Sequence, residues 1–359
     1  MPVTKLHIED FLQLAQQHPV LDVRSPGEYL HAHIPHAVSF PLFTDEERKI
    51  VGTAYKQKSR EEAIKIGLDF FGIKMRKMVE EAEVIVGSHK PVVNTDNKNP
   101  ANDSGLKTTG SKIVLVHCWR GGMRSAGVAW LLDLYGFKVY TLAGGYKAFR
   151  KWVLEQFEKK YSFHILGGYT GSGKTHVLNA LGKHGATIID LEGLAKHKGS
   201  AFGNIGMPPQ PKQEHFENLL AIKLNEASGK TIWLEDESQR IGDVNIPIQF
   251  WNQMRNNKLV FLDIPFEERL KHLVEEYGKL ERERMVNAII RIKKRLGGLE
   301  TKESINALVE DRVEDCFRIL LKYYDKWYLK GMNNREALNT LLHKIPCNTV
   351  DESNYLKLI

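Results

Sequence analysis

The fourteen residues Lys112 to Ser125, KIVLVHCWRGGMRS, constrain the fold of this chain more than any other stretch. Ile113 to Val116 is an unbroken β-branched and aliphatic run, the pattern of a strand covered on both faces in a parallel sheet. Such a strand puts Cys118 at its C-terminal end, the edge of an open α/β sheet where ligands bind. Gly121 and Gly122 let the following backbone turn its amides inward, and SAGVAWLLDLYG then continues as a helix. Inward amides, a helix N-terminus and the guanidiniums of Arg120 and Arg124 all favour anionic sulfur. Cys118 is therefore the candidate catalytic nucleophile, with a depressed thiol pKa. The competing reading is a buried structural cysteine, but inert cysteines rarely sit between a strand end and a double-glycine loop flanked by arginines.

A second local pattern is as specific. The short apolar strand Phe163 to Leu166 leads into Gly168-Tyr169-Thr170-Gly171-Ser172-Gly173-Lys174-Thr175, and the helical HVLNALGKHG follows. This is G-x-x-x-x-G-K-T between a strand and a helix, the context the motif requires. Gly168, Gly171, Gly173, Lys174 and Thr175 are thus the candidate phosphate-binding residues: amides wrap the anion, Lys174 adds charge, and the Thr175 hydroxyl can ligate magnesium. Further on, the strand Thr231 to Leu234 ends in Glu235-Asp236-Glu237. Glu235 and Asp236 are candidate magnesium ligands of a Walker-B-like kind, against the alternative of a solvated turn.

The remaining chain is read around these two anchors. A length of 359 residues exceeds one ordinary core and predicts two domains, residues 1–157 and 158–359. The pattern predicts an amphipathic helix over 4–18 with Thr4 as its cap, a strand Val20 to Arg24, and turns at Ser25 to Tyr29 and His33 to Ala37. Residues 44–80 read as helical, and the Asn-, Ser- and Gly-rich stretch at about 87–111 as a mobile insertion without chemistry. In the second domain, Ala186 to Asp190 and Leu259 to Ile264 read as strands and 213–228 as a helix. The long segment between Leu191 and Pro211 reads as an ordered substrate loop because it carries Phe202, Ile205 and Met207. From Lys279 to Leu296 the helix is basic; Arg291, Lys293, Lys294 and Arg295 are candidate contacts to a polyanion, against the alternative of a solvated helix face. Tyr323, Tyr324, Trp327 and Tyr328 read first as packing. A net charge of +7 permits a nucleic-acid partner. Three widely spaced cysteines argue against a disulfide framework or a zinc site. The first twenty residues lack the apolar run of a signal, and no stretch approaches a membrane span, so the expectation is a cytoplasmic protein with no membrane partner.

Ordered matches then add to these readings. LDVRSPGEY, HIPHAVSFPL, HCWRGGMRS and LAGGYKAFRKW, in that order, resemble a rhodanese domain, whose active loop closes around a sulfur- or selenium-loaded cysteine. Together with GGYTGSGKT, DLEGLAKHKGSAFG and WLEDESQRIG, the chain resembles the bacterial tRNA 2-selenouridine synthases over nearly all its length apart from 87–111. The resemblance implies an α/β fold: a rhodanese-like parallel-sheet domain, then a P-loop NTPase-like domain with a helical C-terminal part. It implies replacement of sulfur by selenium at C2 of wobble 2-thiouridine at tRNA position 34. Selenophosphate would be the donor, with an S-geranyl intermediate made from geranyl diphosphate. It also implies that Cys118 carries an S-selanylcysteine intermediate and that the phosphate loop is Gly168 to Thr175; with tRNA as the substrate, the polyanion that the basic helix would contact is tRNA. No tightly bound cofactor is implied: selenophosphate and geranyl diphosphate are co-substrates, magnesium is a candidate ion on the residues above, and a selenophosphate-supplying enzyme is a candidate partner. Two rivals stay open on the residues alone: a kinase with a regulatory rhodanese module, and a sulfurtransferase delivering persulfide to tRNA or protein.

Overall fold

A computed structural model describes residues 3–91 and 112–358. The chain divides into two compact units, Met1–Glu155 and Gln156–Ile359.

The first unit runs β1 (Thr4–Leu6), α1 (Ile8–Ala15), β2 (Val20–Asp22), α2 (Pro26–His31), β3 (Val38–Ser39), α3 (Asp45–Gln57), α4 (Arg60–Gly72), α5 (Met75–Ser88), β4 (Ile113–His117), α6 (Met123–Leu134), β5 (Lys138–Leu142) and α7 (Gly145–Glu158). Its five strands pair in parallel in the order β1-β5-β4-β2-β3, with β4 at the centre. Val114, Leu115 and Val116 are fully buried, as a central parallel strand requires. Val116 packs with Leu21, Val128, Leu132 and Val139, so sheet and helices share one core.

Several sequence-based expectations need correction here. The helix expected from Thr4 begins only at Ile8, because Thr4–Leu6 pairs as an edge strand with Tyr140–Leu142 of β5. Ser25 to Tyr29 is not a turn but the start of α2, where Ser25 and Glu28 form a capping box and Pro26 stands in the first turn. The single helical region 44–80 is three helices, each of the first two started by a capping hydroxyl: Thr44 accepts the Glu47 N–H and Ser59 the Glu62 N–H. The third helix reaches Ser88, so the insertion expected from 87 begins later; from 92 to 111 it lies outside the described residues.

The second unit continues with β6 (Ser162–Gly168), α8 (Lys174–Lys183), β7 (Thr187–Ile189), α9 (Leu191–Ala195), α10 (Gln213–Glu226), β8 (Thr231–Glu235), the hairpin β9 (Arg240–Ile241) and β10 (Val244–Asn245), α11 (Ile248–Arg255), β11 (Lys258–Asp263) and α12 (Phe266–Tyr277). It closes with α13 (Arg282–Leu296), α14 (Gly298–Val309), α15 (Val313–Asn333), α16 (Leu338–Leu341) and β12 (Leu342–Pro346), then a 3₁₀ turn over Glu352–Lys357. The main sheet is again five parallel strands, β12-β11-β6-β8-β7, with β6 central. Helices α12 to α15 enclose a separate apolar cluster that includes Leu270, Met285, Ile289, Phe317 and Leu320. Phe202 belongs to that cluster, so the segment after α9 is ordered by packing. In both units the segment expected to carry chemistry leaves the C-terminal end of the central strand, where the strand order turns from one side to the other.

Candidate functional site

In the first unit Cys118 follows directly on β4 and is only 3% exposed. Its Sγ lies 3.2 Å from the Ser125 hydroxyl, and the nearby backbone amides of Ser125 and Arg120 also favour the thiolate. Burial opposes ionisation of the thiol. The Ser125 hydrogen bonds, the Arg124 guanidinium and the Arg120 amide outweigh it, so the thiol falls below its ordinary value. The other two cysteines behave oppositely: burial pushes Cys316 up to about 12 and raises Cys347 as well. Cys118 is thus the thiol tuned for reactivity.

The loop is held by contacts from three remote segments. The N–H of Tyr146 donates to Cys118 O at 2.8 Å and that of Lys147 to Trp119 O at 3.0 Å. This approach needs Gly145, which has a φ of +60° and whose absent Cβ would strike Cys118 O and Gly121 N. From the β2 end, Arg24 is fully buried, pairs with Asp22 at 2.6 Å, donates to Ala32 O and stacks 3.8 Å from the Tyr146 ring centroid. From α2, Glu28 accepts the Ser25 N–H and the Arg124 guanidinium, the latter at 2.7 Å. Burial would raise this carboxyl, but Arg124 first, then Ser25 and Arg48, hold it at about 2. Arg124 is therefore a fixed positive charge, whereas Arg120 is exposed.

In the second unit the phosphate loop joins β6 to α8. Gly173 caps α8 in the left-handed region with φ 67°, which lets the loop turn into the helix. Lys174 Nζ rests 3.1 Å from Gly168 O and 5.9 Å from the Tyr328 ring centroid. The loop opens onto a cavity of about 630 Å³. Its far wall is apolar and aromatic, with Phe317, Leu320, Leu321, Tyr323, Tyr324 and Trp327 of α15 among the lining side chains. Tyr324 accepts the Ala201 N–H at 3.2 Å and Arg291 donates to Ala201 O at 2.9 Å, so α13 and α15 both pin the segment after α9 beside the cavity.

Three carboxylates meet at the inner end of this cavity. Glu192, Glu235 and Glu237 present oxygens within 4.8 Å of one another, and Thr175 Oγ1 lies 3.5 Å from Glu192. Burial is the first cause that raises all three above the ordinary range; Glu237 and Glu235 add repulsion at Glu192, Glu235 and Asp236 add it at Glu237, and Asp190 adds it at Glu235, while Lys174 opposes the rise at each. Glu235 is 2% exposed and its Oε1 has no hydrogen-bond partner. A hard dication fits this oxygen set, since it would satisfy that atom and relieve the repulsion.

The structure sorts the sequence candidates. Cys118, Arg120 and Arg124 come together, as do the phosphate-loop residues and Glu235. Asp236 does not join the carboxylate cluster, because Tyr328 donates to it at 2.7 Å and Arg335 pairs with its other oxygen. Of the basic set, Lys293 and Lys294 face solvent, Arg291 binds the segment at Ala201, and Arg295 sits 5.6 Å from the Trp327 ring centroid at the cavity. Sequence reasoning missed Glu28, Arg24 and Glu192, and left Glu237 out of the magnesium pair although it stands in the acidic run Glu235-Asp236-Glu237. Glu28 also carried a local signal, the Ser-x-x-Glu of a capping box. The tyrosines of α15, read as packing, line the cavity as well.

Comparison with known proteins gives a consistent result. A family model described as the tRNA 2-selenouridine synthase AAA domain matches residues 161–344. The chain is 35% identical over 366 residues to the tRNA 2-selenouridine synthase of Hydrogenovibrio crunogenus, covering 92% of this chain and 93% of that one. It is 33% identical over 364 residues to that of Shewanella piezotolerans, covering 91% and 93%. With the protein of the same name from Bdellovibrio bacteriovorus it shares 31% identity over 395 residues, covering 96% of each.

Proposed function

The chain belongs to the tRNA 2-selenouridine synthase family, and on that premise we propose that it exchanges sulfur for selenium in two steps, each assigned to one unit. It is a selenotransferase acting on tRNA at C2 of the wobble uridine. The first step is S-geranylation of 2-thiouridine on the phosphate loop. The second is selenium transfer from selenophosphate through Cys118. A thiocarbonyl sulfur leaves poorly, whereas an S-alkylated one departs as a neutral thiol once a nucleophile has added at C2, so alkylation must come first.

The observation that carries this reading is the cavity that joins the phosphate loop to an apolar aromatic wall. A prenyl diphosphate has both matching ends, an anion for the loop amides and Lys174 and a hydrocarbon chain for the α15 wall. As the carbon–oxygen bond breaks, Lys174 and the amides stabilise the diphosphate, and aromatic faces stabilise positive charge on the allyl carbons. The uridine sulfur attacks that carbon, and its ring gives up the N3 proton. Glu192, Glu235, Glu237 and Thr175 would hold a magnesium ion, which when bound supplies charge to the departing diphosphate. Selenophosphate consumption calls for a partner enzyme that makes it. Selenium then displaces the geranyl thiol at C2.

The test is geranyl transfer to 2-thiouridine RNA with and without ATP. The expected result is transfer without ATP, slowed about 10²-fold by Lys174→Ala, on the scale of other preorganised donors. Strict dependence on ATP, or an undiminished rate for the variant, would refute the assignment.

A further inference from the structure

We propose that His272 is the general base of the alkylation step and takes the N3 proton of 2-thiouridine as the sulfur attacks the prenyl carbon. This rests on the reading of the second unit as the site of geranyl transfer, and it names the proton acceptor which that reaction needs.

The bonds that change set the requirement. Neutral 2-thiouridine carries hydrogen on N3 and a double bond from C2 to sulfur. The C2–S π pair becomes the new sulfur–carbon bond, the carbon–oxygen pair leaves with diphosphate, and the N3–H pair becomes a double bond from C2 to N3. No atom is oxidised or reduced overall, and one proton has to leave N3. Held there, it would put positive charge on the pyrimidine while the attacked carbon is itself becoming positive. Removed in the same transition state, it gives the sulfur the nucleophilicity of a thiolate. The acceptor has to be unprotonated near pH 7 and able to hold the proton once it arrives.

The cavity supplies such a group on α12. Burial raises the hydroxyls of its tyrosines, which stay protonated and accept nothing. Its acidic groups are engaged: three carboxylates form the cation site, and Asp236 is held by Tyr328 and Arg335. Two imidazoles remain, His176 on α8 and His272 on α12, which both line the cavity and meet edge to face with ring centroids 5.6 Å apart. His272 is the one with a carboxylate placed beside it. Its Nε2 lies 3.5 Å from Glu276 Oε2, one helical turn away, and Lys198 Nζ donates to Glu276 Oε1 at 2.6 Å. With Glu276 anchored by Lys198, the favoured tautomer carries hydrogen on Nε2 and leaves the Nδ1 lone pair for the N3 proton. Burial is the first influence on the imidazole and lowers its pKa. Glu276 and Glu275 oppose that fall, and His176 and Lys198 add to it, so the ring is neutral near pH 7. Once protonated it is stabilised by Glu276, and with 20% of its side chain exposed it can pass the proton to water.

The experiment measures geranyl transfer from geranyl diphosphate to 2-thiouridine RNA across pH, with the full-length protein and its His272→Gln variant. Wild-type kcat should fall as pH drops below the ordinary imidazole value of 6.5, because the base is then protonated. The variant should lose about 10²-fold in kcat near pH 7 together with that acid limb, while KM for geranyl diphosphate and Kd for RNA stay at wild-type values. The same assay on 5-bromo-2-thiouridine RNA, whose ring gives up its N3 proton more readily, should shrink the deficit to about tenfold or less. A purely structural role would not respond to the acidity of the RNA base. Equal deficits on the two RNAs overturn the proposal, as does a raised KM for geranyl diphosphate with kcat unchanged. A loss of kcat in His176→Gln with none in His272→Gln overturns it too. Absence of transfer by wild type on either RNA sinks the geranyl reading itself, whereas normal transfer by both proteins sinks the base assignment alone.

Discussion

Glu28→Gln tests whether the first unit's active loop is held electrostatically from α2. Glu28 is 14% exposed in its side chain and is held at about 2 against an ordinary 4.5. At about 1.36 kcal/mol per pKa unit, that difference corresponds to about 3 kcal/mol favouring the charged form, with Arg124 as the largest favourable partner. The amide keeps an acceptor for the Ser25 N–H and loses the charge, so the expected destabilisation near pH 7 is about 2–3 kcal/mol. The sign with pH follows from the depressed value. The stabilisation is fully present above the ordinary 4.5 and is lost as pH falls toward 2. Wild type and variant should therefore differ at pH 7 and converge near pH 2. Hydrogen exchange of the α2 and Cys118-loop peptides, measured across a urea series at several pH values, reads this out. Selenation should fall with loop order, while geranyl transfer should stay near wild type. Equal protection of the loop in both proteins at pH 7 would show that Arg124 is positioned without Glu28.

Other outcomes follow from the same contacts. Cys118→Ala should abolish 2-selenouridine formation and leave geranylation intact, because Cys316 and Cys347 have raised thiol values; quantifying both nucleosides from one reaction checks this. Lys293→Ala and Lys294→Ala should each flatten the salt dependence of tRNA binding by about 0.7–0.9 in log–log slope, whereas Arg291→Ala, whose guanidinium is engaged at Ala201, should loosen that segment to proteolysis with little change in slope. Glu237→Gln should raise the melting temperature of metal-free protein by relieving repulsion and reduce the extra stabilisation given by added magnesium; a fall in the metal-free melting temperature would argue against a repulsive cluster. With their values raised, the three carboxylates should make metal-free protein lose stability as pH climbs from the ordinary 4.5 through neutrality.

Both chemical anchors were legible in the sequence because each is contiguous. A buried parallel strand announces itself by its apolar run, and the loop leaving it is built from the next few residues, so Cys118 with Arg124 and Gly168 to Thr175 needed no knowledge of partners. Short elements were harder to read. Three residues of β1 cannot show a period, and only pairing with β5 makes them a strand rather than the start of a helix. The partners of each site depend on strand order, which no local pattern encodes. Glu28 reaches Arg124 across 96 positions because β2 lies beside β4. Gly145 meets Cys118 because β5 flanks β4 on the other side. In the second unit, Glu192 joins Glu235 and Glu237 because β7 pairs with β8, and Asp236 is withdrawn from them by Tyr328 of α15 and by Arg335 in the turn that follows it. A local sequence fixes where a reactive group stands on its own strand or loop; burial of apolar faces fixes which strands become neighbours, and with them the charges and walls that the group meets.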